Sequence, residues 1–220
     1  LAFHIHDVRQ AVAVPMLRVE SIGDVIRHYE IHNPPFVVKH SWRTADLAEQ
    51  IGRYLGMDRS QLELTRLSAL LHDWKYPFDF CSDPSFTDEQ YQLFKLHPWA
   101  GFTAQIEAAK ATGDPRLVSS AYGAALHHAR RQGISYPQVP GDAIPVIFGA
   151  GGAADVFDAL RNPRPNHDPF HPEHVYDIFR NGDRRTDPRE FDPRVYQAMM
   201  ANFWDLIKRH DQLKKPGMMQ

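Results

Sequence analysis

Leu67-Ser68-Ala69-Leu70-Leu71-His72-Asp73 is the stretch on which the reading of this chain turns. Leu64, Leu67, Leu70 and Leu71 follow the spacing of one buried helix face, and that face runs directly into an adjacent imidazole and carboxylate. Ionisable groups at the end of a buried face are costly unless something pairs with them. A divalent metal is such a partner, since imidazole nitrogen and carboxylate oxygen are ordinary metal donors. A carboxylate can also bridge two ions.

The same helical periodicity extends on both sides. Leu47, Ala48, Ile51, Tyr54 and Leu55 repeat at helical spacing with Gly56 as a stop, and Asp58-Arg59-Ser60 opens the helix that ends in His72-Asp73. Thr87-Asp88-Glu89-Gln90 has the form of a capping box, starting a helix toward His97-Pro98, with another following through Ala109. A helix over 115–129 is expected to end in His127-His128, and Ile144 to Leu160 to be helical despite Gly149, Gly151 and Gly152. Each glycine weakens a helix by roughly 1 kcal/mol relative to alanine, so close packing is expected there. One or two C-terminal helices include 193–208. Asn33-Pro34-Pro35 breaks the chain, and 74–86, 133–141 and the proline-rich 163–172 read as connections. No strand pattern stands out, so the fold class is all-α. The organisation expected is a lead-in over 1–35 with a short helix at 21–30, one domain over 36–212, and a frayed tail over 213–220.

At 220 residues the chain is long enough to bury a core. A net charge of −2 gives no general attraction to a nucleic-acid polymer or an anionic membrane. No run of about 18 apolar residues exists, so no membrane span is expected, and residues 1–10 lack the form of a secretory signal. Cys81 is the only cysteine, which excludes an internal disulfide and cysteine-rich metal sites and fits a reducing cytoplasm. Any metal must therefore be held by nitrogen and oxygen, and 13 histidines make that supply ample.

A two-metal hydrolase needs a shared carboxylate, terminal ligands for each ion, and open positions for substrate and water. His40, His72, Asp73 and Asp155 can supply one ion, and His97, His127 and His128, with Asp73 bridging, can complete a second. Helices are expected to carry these side chains, because they fix them more firmly than loops. Taken singly, His127 or His128 reads as a helix-end residue, Asp73 as a cap and Asp155 as a polar helix position. His4, His6, His28, His32, His167, His171, His174 and His210 read mostly as surface residues. Arg130-Arg131 is basic and reads as an exposed face, with attraction of an anionic ligand as the alternative. The donor set suits iron, manganese, zinc or nickel without separating them.

The flanks of these residues resemble the HD-GYP family, a bacterial branch of the HD phosphohydrolase superfamily. His40-Ser41-Trp42-Arg43-Thr44-Ala45 is similar to its opening His-Ser-x-Arg-Val-Ala, Leu70-Leu71-His72-Asp73 to its HD motif, and His97-Pro98-Trp99-Ala100-Gly101 to its His-Pro-x-x-Gly segment. His127 to Pro137 resembles the long motif that names the family, and Asp142-Ala143-Ile144-Pro145, Ala154 to Leu160 and Arg164-Pro165 its closing segments. The resemblance spans about 40–205. It implies an HD-type helical bundle with extra C-terminal helices. It also implies a phosphodiesterase that converts cyclic di-GMP to pGpG or GMP through a hydroxide bridging two metals, often iron or manganese. Carried over, His40, His72, Asp73, His97, His127, His128 and Asp155 are the ligands, and Asp73 and Lys75 are catalytic. Tyr136, Arg164, Lys75 and His167 contact substrate. The partner is a cyclic dinucleotide, with a regulatory protein left open.

Departures from the family pattern qualify what is inherited. The family lysine three residues after the HD aspartate is Tyr76 here, and Lys75 stands one residue early, a rotation of about 100° if helical. Ala129 and Gln132 replace two carboxylates, and Ser135 a glycine. His167 stands where the family often has a basic residue. Phe36 occupies the position, four before the first ligand, where members with three metals carry Glu, so two ions are expected. A metal-holding cyclic-dinucleotide binding or signalling module of weak or no activity, and a phosphohydrolase of another nucleotide phosphoester, stay open as alternatives.

Overall fold

The computed structural model describes residues 19–74, 87–132, 136, 137, 139–163 and 168–215. Every regular element among them is helical, in agreement with the all-α expectation. Ser21 caps α1 (Ile22–His32) by accepting from the Asp24 amide. Pro34 and Pro35 end it and open α2 (Pro35–Tyr54), a 20-residue helix that stops before Gly56, whose φ of 72° is left-handed. Asp58 and Gln61 form a capping box at α3 (Arg59–Leu70), and Thr87 and Gln90 form the one expected at α4 (Asp88–Phe94). Next come α5 (His97–Thr112) and α6 (Pro115–Leu126), both with proline in the first turn. A 3-10 turn at Gly141–Ala143 precedes α7 (Val146–Arg161), then α8 (Pro172–Asn181), α9 (Pro193–Ala201) and α10 (Phe203–Leu213).

Helix α3 is the axis of the molecule and packs against α2, α6 and α7. Its core residues Leu67, Leu70 and Leu71 meet Leu47 and Ile51 of α2 and the alanines of α7 in one apolar cluster. Facing surfaces of α5, α6 and α7 are built from alanine: Ala104 and Ala108, Ala121 and Ala124, Ala150, Ala153 and Ala154 are all fully buried. Small side chains let these backbones approach closely, which brings the helix ends together around the His72-Asp73 turn. Helix α1 contributes Val25 and Tyr29 to the same core, and the Tyr29 hydroxyl lies 2.6 Å from Ser41 Oγ. Helix α10 docks on α2 through Arg209, whose Nε and Nη2 each donate to Asp46 at 2.6 Å. No helix among the described residues is long and apolar enough to cross a membrane.

Several boundaries differ from the sequence reading. The helix expected to reach 129 ends at Leu126, because the Arg130 guanidinium donates to the His127 carbonyl at 2.9 Å in place of a continuing helical amide. The helix expected over 193–208 is broken at Asn202, whose Nδ2 donates to Ala198 O while its own carbonyl starts α10. Arg130 is half-buried against Glu190, not part of an exposed face, although Arg131 is exposed.

The close packing expected at the α7 glycines is real at Gly152, where an added Cβ would stand 2.9 Å from the His127 carbonyl oxygen. At Gly149 the nearest atom would be 3.7 Å away. Gly152→Ala should therefore destabilise the fold by about 1–3 kcal/mol through overpacking. Gly149→Ala should stabilise it by about 0.5–1 kcal/mol through helix propensity. Denaturant unfolding of the two variants beside the unaltered chain checks the opposite signs.

Candidate metal centre

Five elements deliver the seven expected residues to one point. His40 lies inside α2 and Asp155 inside α7, but the others sit at helix ends. His72 and Asp73 occupy the turn after α3, His97 is the first residue of α5, and His127 and His128 follow the last turn of α6. Helix ends, more than helix faces, carry the site. The local reason is a repeated hydrogen bond: Nδ1 of His72, His97 and His127 donates at 2.7 Å to the carbonyl three residues before it, on Ala69, Phe94 and Ala124. A carbonyl can only accept, so Nδ1 keeps the proton and each Nε2 lone pair is turned into the cluster. Gly101 supports the arrangement, since a Cβ there would stand 2.8 Å from the Trp74 carbonyl oxygen at the end of the His72-Asp73 turn.

Asp73 is buried between two sets of imidazoles. Its Oδ1 lies 3.4 Å from His97 Nε2 and 3.5 Å from His127 Nε2. Its Oδ2 lies 3.4 Å from His72 Nε2 and 3.9 Å from His40 Nε2. Asp155 joins the second set, with Oδ1 3.2 Å from His40 Nε2 and 3.9 Å from His72 Nε2. His128 closes the first set, its ring 4.0 Å from His127 and 5.0 Å from His97 between centroids. Tyr136 lies beside it, 4.6 Å from His128, and burial raises its hydroxyl pKa above the ordinary value. Lys75, Arg164 and His167 lie outside the described residues, as do Tyr76 and Ser135.

These contacts fit divalent cations. With metal–ligand bonds of about 2.0–2.1 Å, donor atoms around one ion are about 2.9–3.4 Å apart. His97 Nε2 and His127 Nε2 face each other at 3.0 Å although both rings already place a proton on Nδ1, so two lone pairs oppose each other. His72 Nε2 is buried with no hydrogen-bond partner. Both features are satisfied by a cation and by little else in an apolar surround.

The electrostatics point the same way. Burial depresses His127 to a pKa of about 4 and His128 well below its ordinary value, so both are neutral donors. Burial works against Asp73 and Asp155, yet His72 beside Asp73, and His40 and His72 beside Asp155, hold both carboxylates below the usual range. Burial also opposes charge on His40, but Asp155 and Asp158 outweigh it and push its pKa up to about 10.

Sequence reasoning missed the group beneath His40. Asp158 accepts from His40 Nδ1, Arg43 and His210, and all three partners are largely or wholly buried. His210, read as a surface residue, is 0% exposed, because α10 packs on α2 and brings His210 within 2.9 Å of Asp158 on α7. The available signal was the i, i+3 spacing of His40 with Arg43 and of Asp155 with Asp158, which puts each pair on one helix face. Phe36, one turn before His40, is exposed.

Residues 37–143 match the HD domain family. The chain belongs to the HD-domain family. Among its relatives is a cyclic di-GMP phosphodiesterase of Vibrio cholerae serotype O1, 30% identical over 176 residues, which are 74% of this chain and 35% of that protein. The cyclic di-GMP phosphodiesterase response regulator RpfG of Xanthomonas campestris pv. campestris is 27% identical over 165 residues, 72% of this chain and 41% of that one. A 3'3'-cGAMP-specific phosphodiesterase 2 of Vibrio cholerae is 26% identical over 172 residues, 76% of this chain and 31% of that protein. The chain thus spans roughly a third to two fifths of the length of these HD-domain relatives.

In this HD domain a metal at His40 Nε2 must displace the proton that the metal-free ring holds below a pKa of about 10. Affinity for Mn2+ should rise about tenfold per pH unit from pH 6 to 8 where one proton leaves per ion. Calorimetric titration in buffers of different ionisation enthalpy measures that proton release, and uptake without it would contradict the assignment of His40.

Proposed function

We propose that this chain is a metal-dependent phosphodiesterase of the HD-GYP type that hydrolyses cyclic di-GMP to pGpG and GMP. The observation that carries this reading is Asp73, whose two oxygens face separate sets of imidazole nitrogens at 3.4–3.9 Å. His40, His72, Asp73 and Asp155 would hold one ion, and His97, His127 and His128, with Asp73 shared, would hold the other. Mixed imidazole and carboxylate donors suit iron or manganese, with zinc and nickel as further candidates. Phe36 offers no donor atom one turn before His40, so two ions are proposed instead of three. When bound, the ions supply Lewis-acid stabilisation of phosphoryl oxygens and a water-derived nucleophile at neutral pH.

The protein's own groups do the remaining work. Donors fixed by carbonyl-anchored rings require no reorganisation as charge develops at phosphorus. Tyr136, next to His128, is suited to contact the substrate from the side of the second ion. Lys75, Arg164 and His167 are proposed to meet the phosphates, with Arg164 suited to a two-oxygen contact. The names of the two relatives that act on cyclic di-GMP support the substrate class. The 3'3'-cGAMP relative supports a second reading, in which a related cyclic dinucleotide is the substrate. Domain limits of 36–212 belong to the same proposal.

Protein purified without oxygen and loaded with Mn2+ or Fe2+ should convert cyclic di-GMP to pGpG and GMP, followed by chromatography. Asp73→Ala should abolish product, and a chelator should do the same reversibly. Product from 3'3'-cGAMP alone would favour the second reading. Full metal loading with no product from either dinucleotide would overturn both.

A further inference from the structure

Beneath the donor set that contains His40 lies a buried polar network that the proposed chemistry does not use. Asp158 Oδ2 accepts from His40 Nδ1 at 2.7 Å and Arg43 Nη2 at 3.0 Å. Its Oδ1 accepts from Arg43 Nε at 2.7 Å and His210 Nε2 at 2.9 Å. Four donors from α2 and α10 thus occupy both oxygens of one α7 carboxylate that has no exposure to solvent. The other anchored rings, His72, His97 and His127, lean on neutral backbone carbonyls. His40 alone leans on an anion.

That asymmetry has a chemical consequence. A carboxylate on the far nitrogen of a ligating imidazole fixes its tautomer and orientation and makes it a stronger donor. The Arg43 guanidinium, binding through two N–H groups, sets the plane of the Asp158 carboxylate. His210 reaches the same carboxylate from the C-terminal helix, which Arg209 also ties to Asp46 of α2. We infer that Asp158 is a positioning residue for the ion held by His40, and not for the ion held by His97, His127 and His128, with Arg43 and His210 holding Asp158 in register. The inference rests on the metal-centre reading above. It makes the seat of α10 part of what determines affinity at one ion and leaves the other independent of it.

Asparagine is the informative replacement. Its amide has one accepting oxygen and one NH2, so donors that now meet the second carboxylate oxygen would face another donor. Either His40 Nδ1 or the Arg43 fork must lose its partner. Arg43→Lys is a second, milder change that keeps the charge and removes the fork.

Calorimetric Mn2+ titration of the unaltered chain, Asp158→Asn and Arg43→Lys, with circular dichroism to verify folding, tests the assignment. Asp158→Asn should weaken one of two binding events by about 10–100-fold and leave the other within about twofold. Arg43→Lys should weaken the same event by a smaller factor, so the test survives if the asparagine variant does not fold. At two equivalents of Mn2+, the electron paramagnetic resonance spectrum should change from a coupled pair toward isolated ions. Equal weakening of both events would mark the network as merely structural and overturn the inference, as would two unchanged events in both variants. Uptake of no ion by the unaltered chain would instead overturn the metal-centre reading, and this inference with it.

Discussion

The structure depends on holding Asp73 ionised in the middle of an apolar bundle. Burial penalises a lone carboxylate heavily, and imidazole nitrogens face this one on both sides. Such an arrangement is unstable as a purely organic cluster, because Nε2 lone pairs of His97 and His127 oppose each other at 3.0 Å. Cations remove that opposition. The same buried cluster of imidazoles and carboxylates is able to hold metal.

Backbone geometry supplies the orientation. Three rings use one device, an Nδ1–H bond to the carbonyl three residues earlier, available because each histidine follows a helical turn or a similar bend. Alanine-lined contacts among α5, α6 and α7, and Gly101 and Gly152 against the backbone of the site, let those turns converge. Enlarging any of these small residues pushes directly on a ligand-bearing turn, so packing and chemistry share the same positions.

The two halves of the centre are supported differently. The His97, His127 and His128 half is built from consecutive elements, α5 and α6, which pack on each other. The His40 and Asp155 half draws on α2, α7 and α10, far apart in sequence, and is joined by the charged network around Asp158. A centre with one half local and one half long-range can respond unevenly to movement of its C-terminal helix.

The sequence by itself determined the helical class, the capping box at Thr87 and the stop at Gly56, and it singled out the seven residues that the fold gathers, because each is a local pattern: periodicity, cap chemistry or a motif with fixed neighbours. It did not determine which oxygen of Asp73 faces which imidazoles, nor that His210 is interior, nor that Asp158 and Arg43 stand behind His40. Most of those meetings join residues from different helices, and His40 and Asp158 are 118 positions apart. Their meeting is decided by how α2, α7 and α10 pack on α3, since spacing along one helix fixes a face but not what that face will touch.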